Sequence, residues 1–345
     1  MIPIDLFCGA GGLTRGLLNA GIEVRLGIDF DEGCHQTYEI NNHPATFLVA
    51  DVRELSVEAV REVIGDVAPD DLLLAACAPC QPFSQLNRGE RNEEATLLRQ
   101  FGRFVEALQP RQVFVENVPG LTRVRGRSTH KRFRQRLEQL GYRIWEDVLD
   151  AKAYGVPQTR KRFILIALRG VEPTRPQATH GPNLLPYETV GNTIRHYPPL
   201  QAGETHPTVP NHRAAILSPI NLERLRHTPH DGGSRTAWPR HLWLECYSNG
   251  HDGHTDVYGR MSWNSPAPAL TSKCHSLSNG RYGHPEQDRA MSLREAAKLQ
   301  SFADGYVFFA DSLAKTSKQI GNAVPVRFAE AIGAYIRRLA GELAP

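Results

Sequence analysis

Short apolar runs alternate with helical stretches throughout the first half of this chain, and a cluster of glycines interrupts the series after the first run. Residues 2–7 are apolar and lead into Gly9-Ala10-Gly11-Gly12, after which residues 13–20 read as a helix that Gly21 ends. Strand patterns at 23–29, 46–51, 71–77 and 113–118 alternate with helix patterns at 32–41, 56–64 and 94–108. Buried apolar strands separated by helices imply a mostly parallel sheet covered on both faces, an α/β fold. A basic helix at 129–140 and strands at 142–150 and 162–168 complete the series. The last two strands leave no room for a helix between them, which predicts an antiparallel hairpin at the sheet edge.

The texture changes after about residue 171. Between 175 and 259 lie ten of the 24 prolines and nine of the 14 histidines, and helical periodicity is poor apart from 214–226. Trp238, Leu242, Trp243, Leu244 and Tyr247 are expected to seed a small core there, so a loop-rich second domain is predicted rather than disorder. Helical patterns return at 293–301 and 326–339. The expected division is 1–172 plus 315–345 for the larger domain and 173–314 for the smaller.

A net charge of +3 says little by itself, but its distribution says more. Residues 121–169 hold thirteen Lys and Arg against four Asp and Glu, whereas 51–120 hold seven against twelve. The basic block suits a phosphate backbone; taken alone, it is as readily a solvated helix face. Six cysteines without framework spacing fit a reducing compartment. No apolar run approaches the roughly 20 residues of a membrane span, and the first residues do not read as a signal peptide.

Several motifs carry chemistry. The glycine turn lets the backbone approach a bound cofactor closely. Asp29 ends the second strand, where a carboxylate can accept ribose hydroxyls, and Asp51 ends the third, where it can accept an adenine amino group. Ligands of such sheets bind beyond the carboxyl ends of the strands, so an adenosine-containing cofactor is expected. Cys80, held between Pro79 and Pro82 after the fourth strand, is placed for exposure; Cys77 and Cys80 also have the spacing of a redox pair. Glu116 ends the next strand at the same edge, and alternation places Arg160 and Arg162 on one face, suited to a polar ring edge or a phosphate. Each of these also has an ordinary surface reading. His251 and His254 invite a metal site, yet no further ligand has the right spacing beside them, and none is expected.

The ordered set of Phe-x-Gly-x-Gly-Gly at Phe7, Gly9, Gly11 and Gly12, Pro-Cys-Gln-Pro-Phe-Ser at 79–84, Glu116-Asn117-Val118, Gln158-x-Arg160-x-Arg162 and Gly321-Asn322-Ala323-Val324-Pro325 resembles the DNA (cytosine-5) methyltransferases of bacterial restriction–modification systems. Arg281-Tyr282-Gly283-His284-Pro285 and the segment 292–297 look similar to the family as well. The resemblance spans residues 4–325 except about 175–259. It implies a Rossmann-like S-adenosylmethionine-dependent methyltransferase sheet with a smaller, loop-rich target-recognition domain. Cys80 is then the nucleophile that adds to carbon 6 of cytosine, and Glu116 the acid at ring nitrogen 3, if burial raises its pKa. Arg160 or, preferentially, Arg162 holds the base oxygen and helps keep Cys80 ionised.

The same resemblance assigns Phe7, Gly9, Gly11, Gly12, Asp29, Asp51, Pro79, Asn322 and Val324 to S-adenosylmethionine, and Gln81, Ser84, Asn117 and Gln158 to the substrate. It implies no metal. The target base is flipped out of double-stranded DNA, residues 81–94 close over it, and the C-terminal helix folds back onto the first domain. A monomer in the bacterial cytoplasm, associated with the nucleoid and paired with a separately acting endonuclease, is the expected setting. Cys8 stands where the family often has alanine, Asp29 where glutamate is common, and Ala303 where proline is frequent. Alternatives are a tRNA cytosine-5 methyltransferase, whose branch carries a Cys-Phe-Thr tripeptide absent here, an inactive DNA-binding relative, and a redox protein using Cys77 and Cys80.

Overall fold

Ile4 and Leu6 turn to one side of the first strand and Asp5 to the other, and this alternation repeats across a seven-stranded sheet. The computed structural model describes residues 1–77, 93–123, 129–245 and 256–341. Strands β1 (Ile2–Leu6), β2 (Leu26–Asp29), β3 (Thr46–Val49), β4 (Leu72–Ala76) and β5 (Gln112–Asn117) are mutually parallel. Strands β6 (Arg143–Asp150) and β7 (Lys161–Leu168) form the expected antiparallel hairpin. The later strand enters the sheet beside β5, giving the order β3-β2-β1-β4-β5-β7-β6 and leaving β6 at the edge.

The chain divides into two compact units, the first comprising Met1–Tyr154, Lys161–Ala178 and Val324–Pro345, the second Gly155–Arg160 and Thr179–Ala323. In the first, helices α1 (Gly12–Asn19) and α2 (His35–Asn42) follow β1 and β2, and α3 (Val57–Ile64), α4 (Glu93–Leu108) and α5 (Thr129–Gln139) follow β3, β4 and β5. A short 3-10 turn, Glu32–Cys34, occupies the start of what the sequence reads as one helix. Ser56 caps α3 by accepting from the Ala59 N–H at 3.0 Å. Val60, Ile64, Phe101, Phe104, Val105, Phe133 and Leu137 bury one face of the sheet against Ile4, Leu6, Leu74, Val113 and Leu165.

The second unit contains α6 (Val190–Ile194), α7 (Pro219–Arg226), α8 (Leu293–Leu299) and α9 (Leu313–Asn322). Among its described residues β-pairing is confined to isolated bridges, so most of its carbonyls find no partner in a ladder. Buried arginines take that part. Arg260 donates to the carbonyls of Thr228, His284, Gln287 and Leu225, and Arg294 to those of Pro210, Ala303 and Tyr306. A guanidinium offers five N–H donors in a rigid fork, which lets one side chain hold several loops together.

The aromatic cluster expected in this unit is real but differently composed. Trp238 and Leu242 pack with Leu225, Tyr258 and Leu277, whereas Trp243 is 44% exposed. Its indole N–H is spent on the Trp238 carbonyl at 2.9 Å, which holds the ring at the surface. Tyr247 lies outside the described residues. Helix α9 went unread in the sequence because the stripe it buries, Thr316, Ser317 and Gln319 beside Ile320, is mostly polar.

The last helix, α10 (Val326–Gly341), returns to the first unit and packs on α1. The approach is so close that a Cβ at Gly16 would stand 2.3 Å from the Ala329 Cβ. Arg337 donates to the Ala20 carbonyl at 2.8 Å and so caps the end of α1.

Candidate active site

In the first unit, the functional side chains gather at the carboxyl ends of the parallel strands. Phe7, Gly9 and Gly11 all have positive φ (63°, 49° and 84°), so the chain leaves β1 through a tight turn and enters α1 at Gly12. For Phe7 that conformation costs about 1–2 kcal/mol. The turn is held from β2: the Ile28 carbonyl accepts the Phe7 and Cys8 N–H groups. Asp29 accepts the Gly9 N–H on one oxygen and the Asp31 N–H on the other, both at 2.9 Å. Asp29 is therefore first a brace for the glycine turn. Among the described residues, a Cβ at Gly9 would meet nothing within 4 Å, so they leave open space before the turn. Phe30, missed in the sequence reading, directly follows Asp29 and is 65% exposed. An aromatic residue immediately after the acidic strand end was the available signal.

A buried chain of hydroxyls lies beneath the turn. Asp5 on β1 is 0% exposed and accepts from Thr14 Oγ1 of α1 at 2.7 Å, and Thr14 in turn meets the Tyr38 hydroxyl of α2 at 2.9 Å. The other Asp5 oxygen, Oδ1, has no hydrogen-bond partner among the described residues. Burial, aided by the charge of Asp29 and opposed by the Thr14 hydrogen bond, pushes the Asp5 carboxyl up to about 7. The folded state thus holds a proton that the unfolded chain releases near 3.8. This contribution to stability is complete below the unfolded value and is lost as pH rises through about 7. Stability of the native chain should fall between about pH 4 and 7, by on the order of 4 kcal/mol in full, and level off above that. Asp5→Asn, which cannot ionise, should flatten that dependence; an equally steep variant would refute the assignment.

Asp51 differs from its expected placement. Strand β3 stops at Val49, and the Asp51 carboxylate is engaged by Arg53, whose Nε lies 2.9 Å from both oxygens. That side-chain hydrogen bond holds the Asp51 carboxyl below its usual value.

Glu116 is the penultimate residue of β5, buried at 7% exposure, and faces Arg162 of β7, with Nε 2.8 Å from Oε1. The register explains the pair. Glu116 stands opposite Ile164, which puts Arg162 on the diagonal of the same sheet face, within reach of a long side chain. Asn117 is buried beside it and accepts the Val118 N–H at 2.9 Å.

Arg160 and Arg162 have different partners. Arg160 belongs to the second unit, is 3% exposed, and donates to the carbonyls of Leu270 (2.7 Å), Gly321 (3.1 Å) and Ala323 (3.4 Å). Gln158 is fully buried; its amide bonds the Gln300 oxygen at 2.9 Å and accepts the Leu270 N–H at 2.8 Å. Both residues clamp backbone within their own unit, which leaves Arg162 as the arginine paired with the strand-end carboxylate. Gly321 has a steric reason in the same unit, since a Cβ there would lie 2.0 Å from the Thr271 carbonyl. Asn322 is exposed at the end of α9, and Val324 is buried in the first unit.

Pro79, Cys80, Gln81 and Ser84, and likewise His251 and His254, lie outside the described residues. Among the described residues no cluster of His, Cys, Asp and Glu side chains forms a metal cradle, and no helix is long and apolar enough to cross a membrane.

A parallel sheet with a glycine turn after β1 and carboxylates at the strand ends defines an α/β enzyme whose chemistry sits along one sheet edge. The fold is that of solved methyltransferases. A putative DNA modification methyltransferase encoded in an Escherichia coli prophage matches with a TM-score of 0.78 at 21% identity, covering 99% of both chains. The S. pombe Dnmt2 methyltransferase matches with a TM-score of 0.60 at 17% identity, again covering 99% of both. Among curated proteins, the Type II methylase M.HgiDII of Herpetosiphon aurantiacus is 39% identical over 341 residues, covering 97% of this chain and 94% of the relative. The Type II methyltransferase M1.HphI of Haemophilus parahaemolyticus is 32% identical, covering 97% and 86%. The chain belongs to the C-5 cytosine-specific DNA methylase family, whose description matches residues 1–338, and is a DNA (cytosine-5) methyltransferase.

Proposed function

We propose that the protein methylates carbon 5 of one cytosine within a short, specific duplex sequence, taking the methyl group from S-adenosylmethionine and using Cys80 as a covalent nucleophile. The observation that carries this reading is the Glu116–Arg162 pair at the carboxyl ends of β5 and β7. It places an acid and a cation together where a polar ring edge can meet them.

The residues present fit the cofactor. Among the described residues, open space faces Gly9, the glycine turn brings backbone to that space, and the exposed Phe30 ring beside Asp29 offers an adenine a flat surface. Phe7, Gly11 and Gly12 shape the turn, with Pro79, Asn322 and Val324 completing the set. A carboxylate has about four acceptor positions, so Asp29 can take ribose hydroxyls in addition to the two backbone N–H groups it holds. Asp51 would reach an adenine amino group while remaining paired with Arg53. Bound S-adenosylmethionine supplies the electrophilic sulfonium methyl that carbon 5 takes.

Carbon 5 of cytosine is too weak a nucleophile to react unaided. Addition of the Cys80 thiolate to carbon 6 forms a carbon–sulfur bond, breaks the 5,6 double bond and moves its electron pair into an enamine. Glu116 shares a proton with ring nitrogen 3, where negative charge would otherwise build. Arg162 orients that carboxyl through Nε, donates to the Lys161 carbonyl through Nη1 at 2.8 Å, and has further N–H donors for the base oxygen. After methylation, loss of the carbon 5 proton restores the double bond and expels the thiolate. Gln81, Ser84 and Asn117 line the flipped base. Arg160 and Gln158 act by holding the loops of the second unit, which reads the sequence. The setting that fits is a monomer acting in the cytoplasm on nucleoid DNA, separately from any cognate endonuclease.

The test is incubation with tritiated S-adenosylmethionine and mixed-sequence duplex DNA, followed by bisulfite mapping. Methylcytosine at one short motif is the expected result. Label in tRNA instead of DNA, or in neither, would refute the reading.

A further inference from the structure

Several cations of the basic block 121–169 are paired within the protein among the described residues. Arg134 and His130 of α5 pair with Glu146 of β6, and Arg136 is bound by both oxygens of Glu106 on α4, with Nε at 2.8 Å. Arg162 pairs with Glu116, Arg160 is buried, and Arg169 lies over the Tyr142 ring. Arg143 at the start of β6 is exposed and without such a partner among the described residues, and two further guanidiniums share that state. Arg132 of α5 and Arg99 of α4 are exposed, and neither has a hydrogen-bond or ion-pair partner among the described residues.

Both line one groove. It has a volume of about 320 Å³, a floor of Gly102 and Phe133, and walls that carry Thr129, Arg132 and Arg136 on one side and Arg99 and Glu106 on the other. Thr129, Arg132 and Arg136 share a face of α5 at spacings of three and four residues. Gly102 leaves room above the Phe133 ring, since a Cβ there would already touch it at 3.5 Å.

Charge is uneven along the groove. Arg136, in the second half of α5, is neutralised by Glu106, which sits late in α4. Arg132 is in the first turn of α5 and Arg99 in the second turn of α4. In a parallel sheet each crossover helix begins near the carboxyl ends of the strands and runs back across the face. The unmatched pair therefore lies at the end of the groove nearest the strand ends that carry Glu116, and the compensated pair lies at the far end.

We propose that this groove is a docking site for one backbone phosphate of the duplex, held by Arg99 and Arg132, outside the target base pair. The inference rests on the reading of the protein as a DNA methyltransferase and names a surface for the substrate that the basic block alone did not locate. Two planar guanidiniums lining one groove suit a phosphodiester, and Thr129 adds a hydroxyl to the same lining. A contact of this kind carries no sequence information and sets register and affinity.

The test compares the full-length chain with the Arg99→Gln/Arg132→Gln double variant. Binding to a labelled duplex of about 30 base pairs is followed by anisotropy at several salt concentrations, together with KM and kcat for methylation. One lost phosphate contact should lower the slope of log K against log salt by about 0.9. KM for DNA should rise about fivefold or more at moderate salt, with kcat and the mapped motif unchanged. Arg134→Gln, which removes a guanidinium already paired with Glu146 and Glu138, should leave the slope as it is. An unchanged slope and KM in the double variant would overturn the proposal. So would stabilisation of the native chain, but not the variant, by inorganic phosphate without any change in the DNA slope, because the groove would then serve a free anion. A native chain that methylates no DNA would instead bring down the reading on which the proposal rests.

Discussion

Cys80→Ala should reduce methyl transfer to duplex DNA by at least about 10⁴-fold while leaving binding of DNA and of S-adenosylmethionine intact. The size of the effect follows from the reaction. Without a thiolate at carbon 6 there is no enamine, and oriented binding alone cannot make carbon 5 nucleophilic. The decisive readout is covalent. A duplex with fluorine at carbon 5 of the target cytosine has no proton to lose, so the native chain should remain bound through sulfur and shift on a denaturing gel. The alanine variant should show no shifted species. Glu116→Gln provides the second arm: it retains shape beside Arg162 but donates no acid proton, and a loss of about 10²–10⁴-fold in kcat is expected. Full activity in either variant would remove that residue from the mechanism.

Glu295→Gln should produce the largest loss of stability among single substitutions in the second unit. Arg289 and Glu295 form a bidentate pair at 2.8 and 2.7 Å, with 0% and 1% exposure. Glu295 also closes a capping box with Ser292 at the start of α8. Removing the carboxylate leaves a buried guanidinium uncompensated, at a cost of about 3–5 kcal/mol. Urea midpoints measure this, and the exposed Asp311–Lys315 pair serves as the comparison that should barely move. A midpoint near the native value would show that Arg289 finds water or another partner.

The same cluster predicts acid sensitivity. Burial, with Arg289 and Arg260 nearby, lowers His284 to about 4 despite Glu295 at 3.8 Å, because that carboxylate is claimed by Arg289. Burial alone would raise Glu295, but the charge and hydrogen bonds of Arg289 outweigh it and hold the carboxyl at about 2. Both folded values are depressed. Stability from His284 is therefore present above 6.5 and lost as pH falls through about 4, and that from Glu295 is present above 4.5 and lost as pH falls through about 2. Asp5 works in the opposite direction in the first unit, where stability is lost as pH rises through about 7.

These clusters also mark where reading the sequence succeeded and where it could not. Strands β1 to β5 and their helices were legible because each is local: an apolar run of strand length, a helical period, and a glycine or a cap between them. Glu116 was legible as a strand-end carboxylate for the same reason. Its contact with Arg162 was not, because that pair depends on the register of β7 against β5, set by residues about fifty positions apart. Gln158 reads as a substrate ligand and is an internal clamp; Trp243 reads as core and is half exposed. The buried chain of Asp5, Thr14 and Tyr38 joins three elements and so has no local signal in the sequence.

By itself the sequence determined the α/β architecture, the glycine turn, the acidic strand ends and the chemistry a cysteine between prolines implies, because periodicity and turn residues act over a few positions. The tertiary structure alone decided which of many arginines are buried clamps, which are paired, and which two stand unmatched in a groove. A guanidinium is the same in every sequence pattern, and its role is set by the carbonyls and carboxylates that distant segments bring within about 3 Å of it.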